Sequence, residues 1–225
     1  MKTISIVWGN QASSPVTKLN YRSSFKNYQQ TYGNVFVPEQ MHGVDGHVIS
    51  KDLVKTWHQN PLPGDYLITQ EKNVWLGTLT ADCLPIIFYD SVQEVIAVAH
   101  AGWRGSVAGI AQIVFERLKN EFNVDPQNLQ IWFGPAGNTC CYEVGLDFVD
   151  NLAQNSKAQS CLVQRNQRYF FDVLGYNMLC LQDCNIPVKN FNLSGYVCTI
   201  CNIEYCSYRR DNQKTGLQLS LCALR

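Results

Sequence analysis

Between residues 74 and 100 the chain offers three apolar runs broken only by turn residues, and the breaks carry the chemistry. Residues 74–79 are rich in β-branched and aromatic types, residues 86–89 are wholly apolar, and residues 95–100 are apolar up to the final His100. Runs of this length between turns read as strands, and 86–89 has the length and composition of a buried one. Thr80-Ala81-Asp82-Cys83-Leu84-Pro85 separates the first two, and Asp90-Ser91 turns the second into the third. Cys83 and His100, 17 residues apart, therefore sit at edges of consecutive strands. If those strands pair, the edges come within a few ångströms of each other.

The rest of the chain supplies further strands at 4–7, 35–37, 47–49, 66–69 and 129–133, and an alternating one at 217–223. Ile110, Ile113, Val114 and Leu118 recur at helical spacing after Gly102-Trp103-Arg104-Gly105. Helices are also expected over 20–32, 148–152 and 174–182, and strands over 197–199 and 205–210. Helices do not alternate regularly with strands. The expected class is therefore α+β, mixed β-sheets flanked by helices, as a single domain over 1–225.

Composition narrows the function. Hydrophobic residues make up 46% of the chain and charged residues 16%, enough apolar material for a buried core. Formal net charge is zero and no basic stripe is visible, which argues against nucleic acid as a partner. No apolar run reaches the roughly 18 residues of a membrane span. The apolar stretch after Lys2 is too short for a signal-peptide core, so a cytoplasmic protein is expected. In that compartment the ten cysteines read mostly as small buried hydrophobes. Cys140 and Cys141 are adjacent and bridge poorly to each other. Cys198, Cys201 and Cys206 include one C-x-x-C without a second, so ordinary thiols are expected there rather than a structural metal.

A third segment, Gln40-Met41-His42-Gly43, adds another imidazole beside glycine. His42, Cys83 and His100 together suit zinc or copper, and three ligands leave a fourth position for water or substrate. Residue type alone does not decide this: each also reads as a packed thiol or an ordinary loop histidine. His47 and His58 lack such a context and are left without a role. Arg104, between Gly102 and Gly105, either clamps a phosphate or carboxylate or pairs with a carboxylate at a helix start. Asp82 either orients a ligand histidine, acts as a base, or is a turn residue. Glu143 is a second candidate acid or base. Arg209 and Arg210 read first as a salt-bridged strand end and second as anion ligands.

Taken together and in order, these segments, with Gly134-Pro135-Ala136, Cys140-Cys141-Tyr142-Glu143-Val144, Ser207-Tyr208-Arg209-Arg210-Asp211 and Thr215-Gly216, resemble the YfiH family. It is also called the laccase-domain or multicopper polyphenol oxidase-like family. The resemblance implies an α+β fold and a metal held by His42, Cys83 and His100, usually zinc, with copper also claimed. It implies phosphorolysis of adenosine, inosine and 5′-methylthioadenosine, and hydrolytic deamination of adenosine. The partners implied are a purine nucleoside and phosphate, with Arg104 first and Arg209 or Arg210 second for the anion. The chain departs from the family at Gly137-Asn138-Thr139, where a second Gly-Pro is usual, in a loop that bears on substrate choice.

Two other enzyme readings compete. Cys83 as nucleophile with His100 as base would make a hydrolase of amides or peptidoglycan precursors. Copper-dependent phenol oxidation ranks last, because multicopper oxidases need many more histidines than the four here.

Overall fold

The computed structural model describes residues 3–11, 28–57, 62–212 and 216–225. The chain begins with β1 (Ile4–Trp8), β2 (Asn34–Phe36) and β3 (Gly46–Val48). Helix α1 (Lys51–Thr56) follows, its N-terminus capped by Ser50. Then come β4 (Tyr66–Thr69), β5 (Val74–Thr80), β6 (Leu84–Asp90) and β7 (Val95–Ala101). Helices α2 (Trp103–Val107) and α3 (Ile110–Phe122) lead to β8 (Leu129–Phe133) and β9 (Glu143–Val144). The remaining elements are α4 (Leu146–Asn151), α5 (Ser156–Ser160), β10 (Leu162–Arg165), β11 (Arg168–Phe171), α6 (Val173–Asp183), β12 (Phe191–Asn192), α7 (Tyr208–Asp211) and β13 (Gln218–Leu224).

Three sheets result, and the α+β class with mixed sheets holds. The largest has the order β12-β8-β6-β7-β4-β3, a second runs β1-β13-β5-β2, and a small third runs β10-β11-β9. Strand parity explains the layering. In β6 and β7, Leu84, Ile86, Phe88, Val95, Ala97 and Ala99 face a core shared with α3 and α6. Their neighbours Ile87, Tyr89, Ile96 and Val98 face the second sheet, against Phe36, Leu76 and Cys222. Both faces are covered, which is why these strands read as nearly unbroken apolar runs. The outer face of the second sheet holds a third cluster around Trp75, Leu79 and Leu221.

The β6–β7 pairing is antiparallel with Pro85 opposite His100 and Leu84 opposite Ala101. It delivers Cys83 and His100 to the same end of the central sheet, as consecutive paired strands require.

Two expectations fail. Residues 197–199 form no strand; Cys198 makes only an isolated bridge to Ala136. Residues 205–210 form no strand either, because Ser207 caps a helical turn, its hydroxyl accepting from Arg210 N. The aromatic content of that segment favours a strand, but the serine cap and tertiary bonds described below prevail. Of the helix expected over 20–32, residues 28–32 are helical and stop at Gly33 (φ 82°); residues 20–27 lie outside the described residues. No described helix is long and apolar enough to cross a membrane.

Phe88 is fully buried between β6 and the helical layer. Phe88→Ala is expected to lower unfolding free energy by about 3–5 kcal/mol, read by urea denaturation.

Candidate active site

The site begins with a buried aspartate. Asp65, 1% exposed, accepts backbone hydrogen bonds from Met41 (3.2 Å), His42 (3.0 Å) and Gly43 (2.7 Å). These three amides hold the 41–43 turn, in which His42 takes a left-handed φ of 61°. A histidine rarely adopts that conformation, and the three bonds offset its cost. Gln40 anchors the same segment to β5: its side-chain carbonyl accepts from Leu79 N (2.7 Å) and its amide donates to Leu79 O (2.8 Å).

The same Asp65 carboxylate lies 2.8 Å from His100 Nδ1. That contact fixes the ring with Nδ1 toward the carboxylate and leaves Nε2 for a ligand. The aspartate in contact with His100 is thus Asp65, and the Asp82 carboxylate bonds other partners. The sequence signalled Asp65 only as part of the Pro63-Gly64-Asp65 turn.

One donor atom each from His42, Cys83 and His100 lies within 4.8 Å of the others. The two imidazole rings stand 4.8 Å apart at 83°. His42 is exposed, Cys83 half-buried and His100 buried, so the cluster is open on one side. A β-carbon on Gly102 would sit 3.2 Å from Cys83 Sγ and 3.3 Å from His42 Cδ2, so a side chain there would crowd the donors. On Gly105 it would meet Gly43 O at 2.7 Å; glycine lets α2 close against the 41–43 turn. Thiolate and imidazole donors with an open face fit a zinc- or copper-type ion, and do not fit calcium or magnesium. His47 bonds Pro63 O at 2.8 Å as an ordinary loop histidine, and His58 lies outside the described residues.

Electrostatics agree with the donor geometry. Burial pushes the Cys83 thiol up, but the charged His100 and hydrogen bonds from His100 and His42 outweigh it and bring it down to about 6. Burial pushes His100 down, but the Cys83 thiolate and Asp65 raise it to about 9. Each group thus favours the charged form of the other.

Asp82, φ 78° and 5% exposed, holds a different part of the chain. Its carboxylate accepts from Thr199 Oγ1 (2.6 Å), Ser207 Oγ (3.0 Å) and Arg209 N (2.8 Å). It touches neither ligand histidine. These bonds carry α7, and Arg209 with it, to the site.

Arg104 and Arg209 line one cavity of about 210 Å³, walled by Trp103, Gly145 and Phe148. The Arg104 guanidinium lies over the Trp103 ring at 4.4 Å and has no carboxylate partner among the described residues. Arg209 lies over the Tyr142 ring at 4.8 Å and donates to Glu143 O at 2.6 Å. Tyr142, which sequence reasoning did not single out, neighbours Cys83 and Arg209; burial and then the Cys83 thiolate push its hydroxyl up to about 12. Arg210 is directed elsewhere: its guanidinium bonds the carbonyls of Thr199, Ile200, Asn202 and Tyr205, and Asp211. The Glu143 carboxylate is exposed and pairs with Arg168 at 3.2 Å.

Residues 10–225 match the model of the family described as multi-copper polyphenol oxidoreductase laccase. The chain belongs to this family, the YfiH family. A purine nucleoside phosphorylase of Aquifex aeolicus is 38% identical over 164 residues, 73% of each chain. One of Geobacillus stearothermophilus, YlmD, is 32% identical over 195 residues, 83% of this chain and 71% of that one. The match to the Bacillus subtilis relative spans 59% of its length. The crystal structure of YlmD from Geobacillus stearothermophilus superposes with a TM-score of 0.80 at 26% identity, covering 100% of this chain and 92% of that one. A Bacillus licheniformis YfiH structure shares the fold, with a TM-score of 0.85 at 24% identity over 99% of this chain and 93% of that one.

Asp65→Asn removes the negative charge behind His100. Alkylation of Cys83 in metal-depleted protein is expected to rise with pH through a midpoint near 6. The variant should move that midpoint upward, because a less cationic His100 stabilises the thiolate less, and should weaken metal binding about 10–100-fold. An unmoved midpoint would separate Asp65 from the thiolate.

Proposed function

We propose that this YfiH-family chain is a metal-dependent purine nucleoside phosphorylase, acting as one domain over residues 1–225 in the cytoplasm. The single observation that carries the reading is the placement of two guanidiniums, Arg104 and Arg209, on one cavity, Arg104 standing four residues after His100, one of the three metal-type donors. The names of the relatives support the reaction class.

In this reading His42, Cys83 and His100 hold a zinc ion, with copper the alternative. When bound, the ion supplies Lewis-acid stabilisation of developing negative charge or lowers the pKa of a water. Phosphate is held by Arg104 and Arg209, whose forked donors match its oxygens. Attack of a phosphate oxygen at C1′ forms a carbon–oxygen bond as the bond to the base nitrogen breaks, and that nitrogen takes a proton from the phosphate or solvent, giving the ribose 1-phosphate and a free purine. Trp103 and Phe148, edge to face at 4.8 Å, wall the cavity and exclude water. Asp82 is a positioning residue that sets Arg209, and Glu143 and Arg210 have no direct part. Adenosine, inosine and 5′-methylthioadenosine are the substrates proposed, with hydrolytic deamination of adenosine as a further activity. The zinc-deaminase signature is absent, so that activity would use this differently built site.

A second reading rests on the Cys83–His100 ion pair, which resembles an activated nucleophile and its base. It makes the chain a hydrolase of amides or peptidoglycan precursors. A thiolate bound to metal is not free to attack, so metal dependence separates the two readings.

The test measures metal content and release of adenine or hypoxanthine with and without phosphate. Phosphate-dependent release that disappears with the metal, and in Cys83→Ala, is expected. Arg104→Ala should keep its metal and lose about 10–100-fold in kcat/KM for phosphate. Metal-free protein that releases no base, yet is inactivated in amide hydrolysis by Cys83 alkylation, would transfer the assignment to the second reading.

A further inference from the structure

Two cysteine pairs that look unrelated along the chain meet in space. Cys140 and Cys141 lie in the β8–β9 connection, and Cys198 and Cys201 in the segment between β12 and α7. Their four sulfurs lie within 4.8 Å of one another, and Cys140 Sγ is 3.8 Å from Cys201 Sγ. A tetrahedral ion with metal–sulfur bonds of about 2.3 Å has sulfur–sulfur edges of about 3.8 Å. A disulfide needs about 2.05 Å. We propose that Cys140, Cys141, Cys198 and Cys201 form a second, closed metal site that takes zinc through four thiolates and pins these two segments together.

Four thiolates do not coexist at this distance without a cation among them. Zinc binding releases a proton from each thiol and leaves a complex of two negative charges. Cationic groups surround the place: Arg165 and Arg168 line a cavity of about 440 Å³ with Cys140 in its wall, and Arg165 donates to Thr139 O.

The site would steady the first one. Ala136 N donates to Val197 O (3.1 Å), Thr199 N donates to Ala136 O (3.0 Å), and Gly137 N donates to Asp82 O (2.9 Å). These few bonds otherwise hold the two segments together beside Asp82. Thr199 is two residues from Cys201, and its hydroxyl bonds the Asp82 carboxylate that positions Arg209.

Metal-depleted full-length protein titrated with zinc, with bound metal counted by elemental analysis, tests the inference. Wild type should take two ions per chain, Cys83→Ala one, and Cys140→Ser/Cys201→Ser one, with far-ultraviolet circular dichroism unchanged. With cobalt(II), the strong thiolate-to-cobalt charge-transfer absorption should persist in Cys83→Ala and be largely lost in the double serine variant. Because Cys83→Ala empties only the first centre, failure of the phosphorylase reading leaves this test intact. One ion in wild type and none in Cys83→Ala would overturn the proposal, whether or not the double variant folds. So would a Cys140–Cys201 disulfide in place of a second ion in wild type isolated with zinc present.

Discussion

One carboxylate, Asp65, ties the site to the fold. It is buried at the edge of β4, accepts three amides of the 41–43 turn and contacts His100 at the end of β7. A buried carboxylate with so many donors stays ionised, because each hydrogen bond favours its charged form over the burial that opposes it. Its charge in turn favours a cationic or metal-bound imidazole. Removing it would leave the three amides of the 41–43 turn without this acceptor and His100 without the contact that fixes its ring.

Asp82 does similar work on the other side. Its backbone carries Cys83 into β6, and its side chain gathers Thr199, Ser207 and Arg209 from the C-terminal quarter of the chain. Two buried aspartates therefore divide the construction: one ties the His42 turn to His100, the other brings Arg209 to the cavity it shares with Arg104. Both His42 and Asp82 have left-handed backbone, and both are held there by hydrogen bonds across the fold.

The rigid part is the central pair β6–β7, paired over its whole length and covered by helices on one side and a second sheet on the other. Such strands were legible because burial on both faces demands continuous apolar sequence. The segment 205–210 was not: its tyrosines and alternation favour a strand, and only the Ser207 cap and the pull of Asp82 make it a helical turn. That Arg104 meets no carboxylate among the described residues was equally hidden, since its possible partners lie anywhere in the chain. The four-cysteine cluster escaped for the same reason; a C-x-x-C without its local counterpart looked solitary until Cys140 and Cys141 arrived from 57 and more residues away.

What the sequence by itself determined was chemical type and local geometry: apolar runs for doubly covered strands, soft donors at their ends, and glycines where donors and backbone come close. The family resemblance joined His42 to Cys83 and His100 before any contact was visible. Tertiary structure alone decided which aspartate contacts His100, which arginines share a cavity, and which cysteines meet. Those outcomes depend on contacts such as Asp65 to His100 across 35 residues and Asp82 to Ser207 across 125. Periodicity and spacing describe a few turns of chain, and no local pattern encodes a hydrogen bond that only the packed sheets bring within reach.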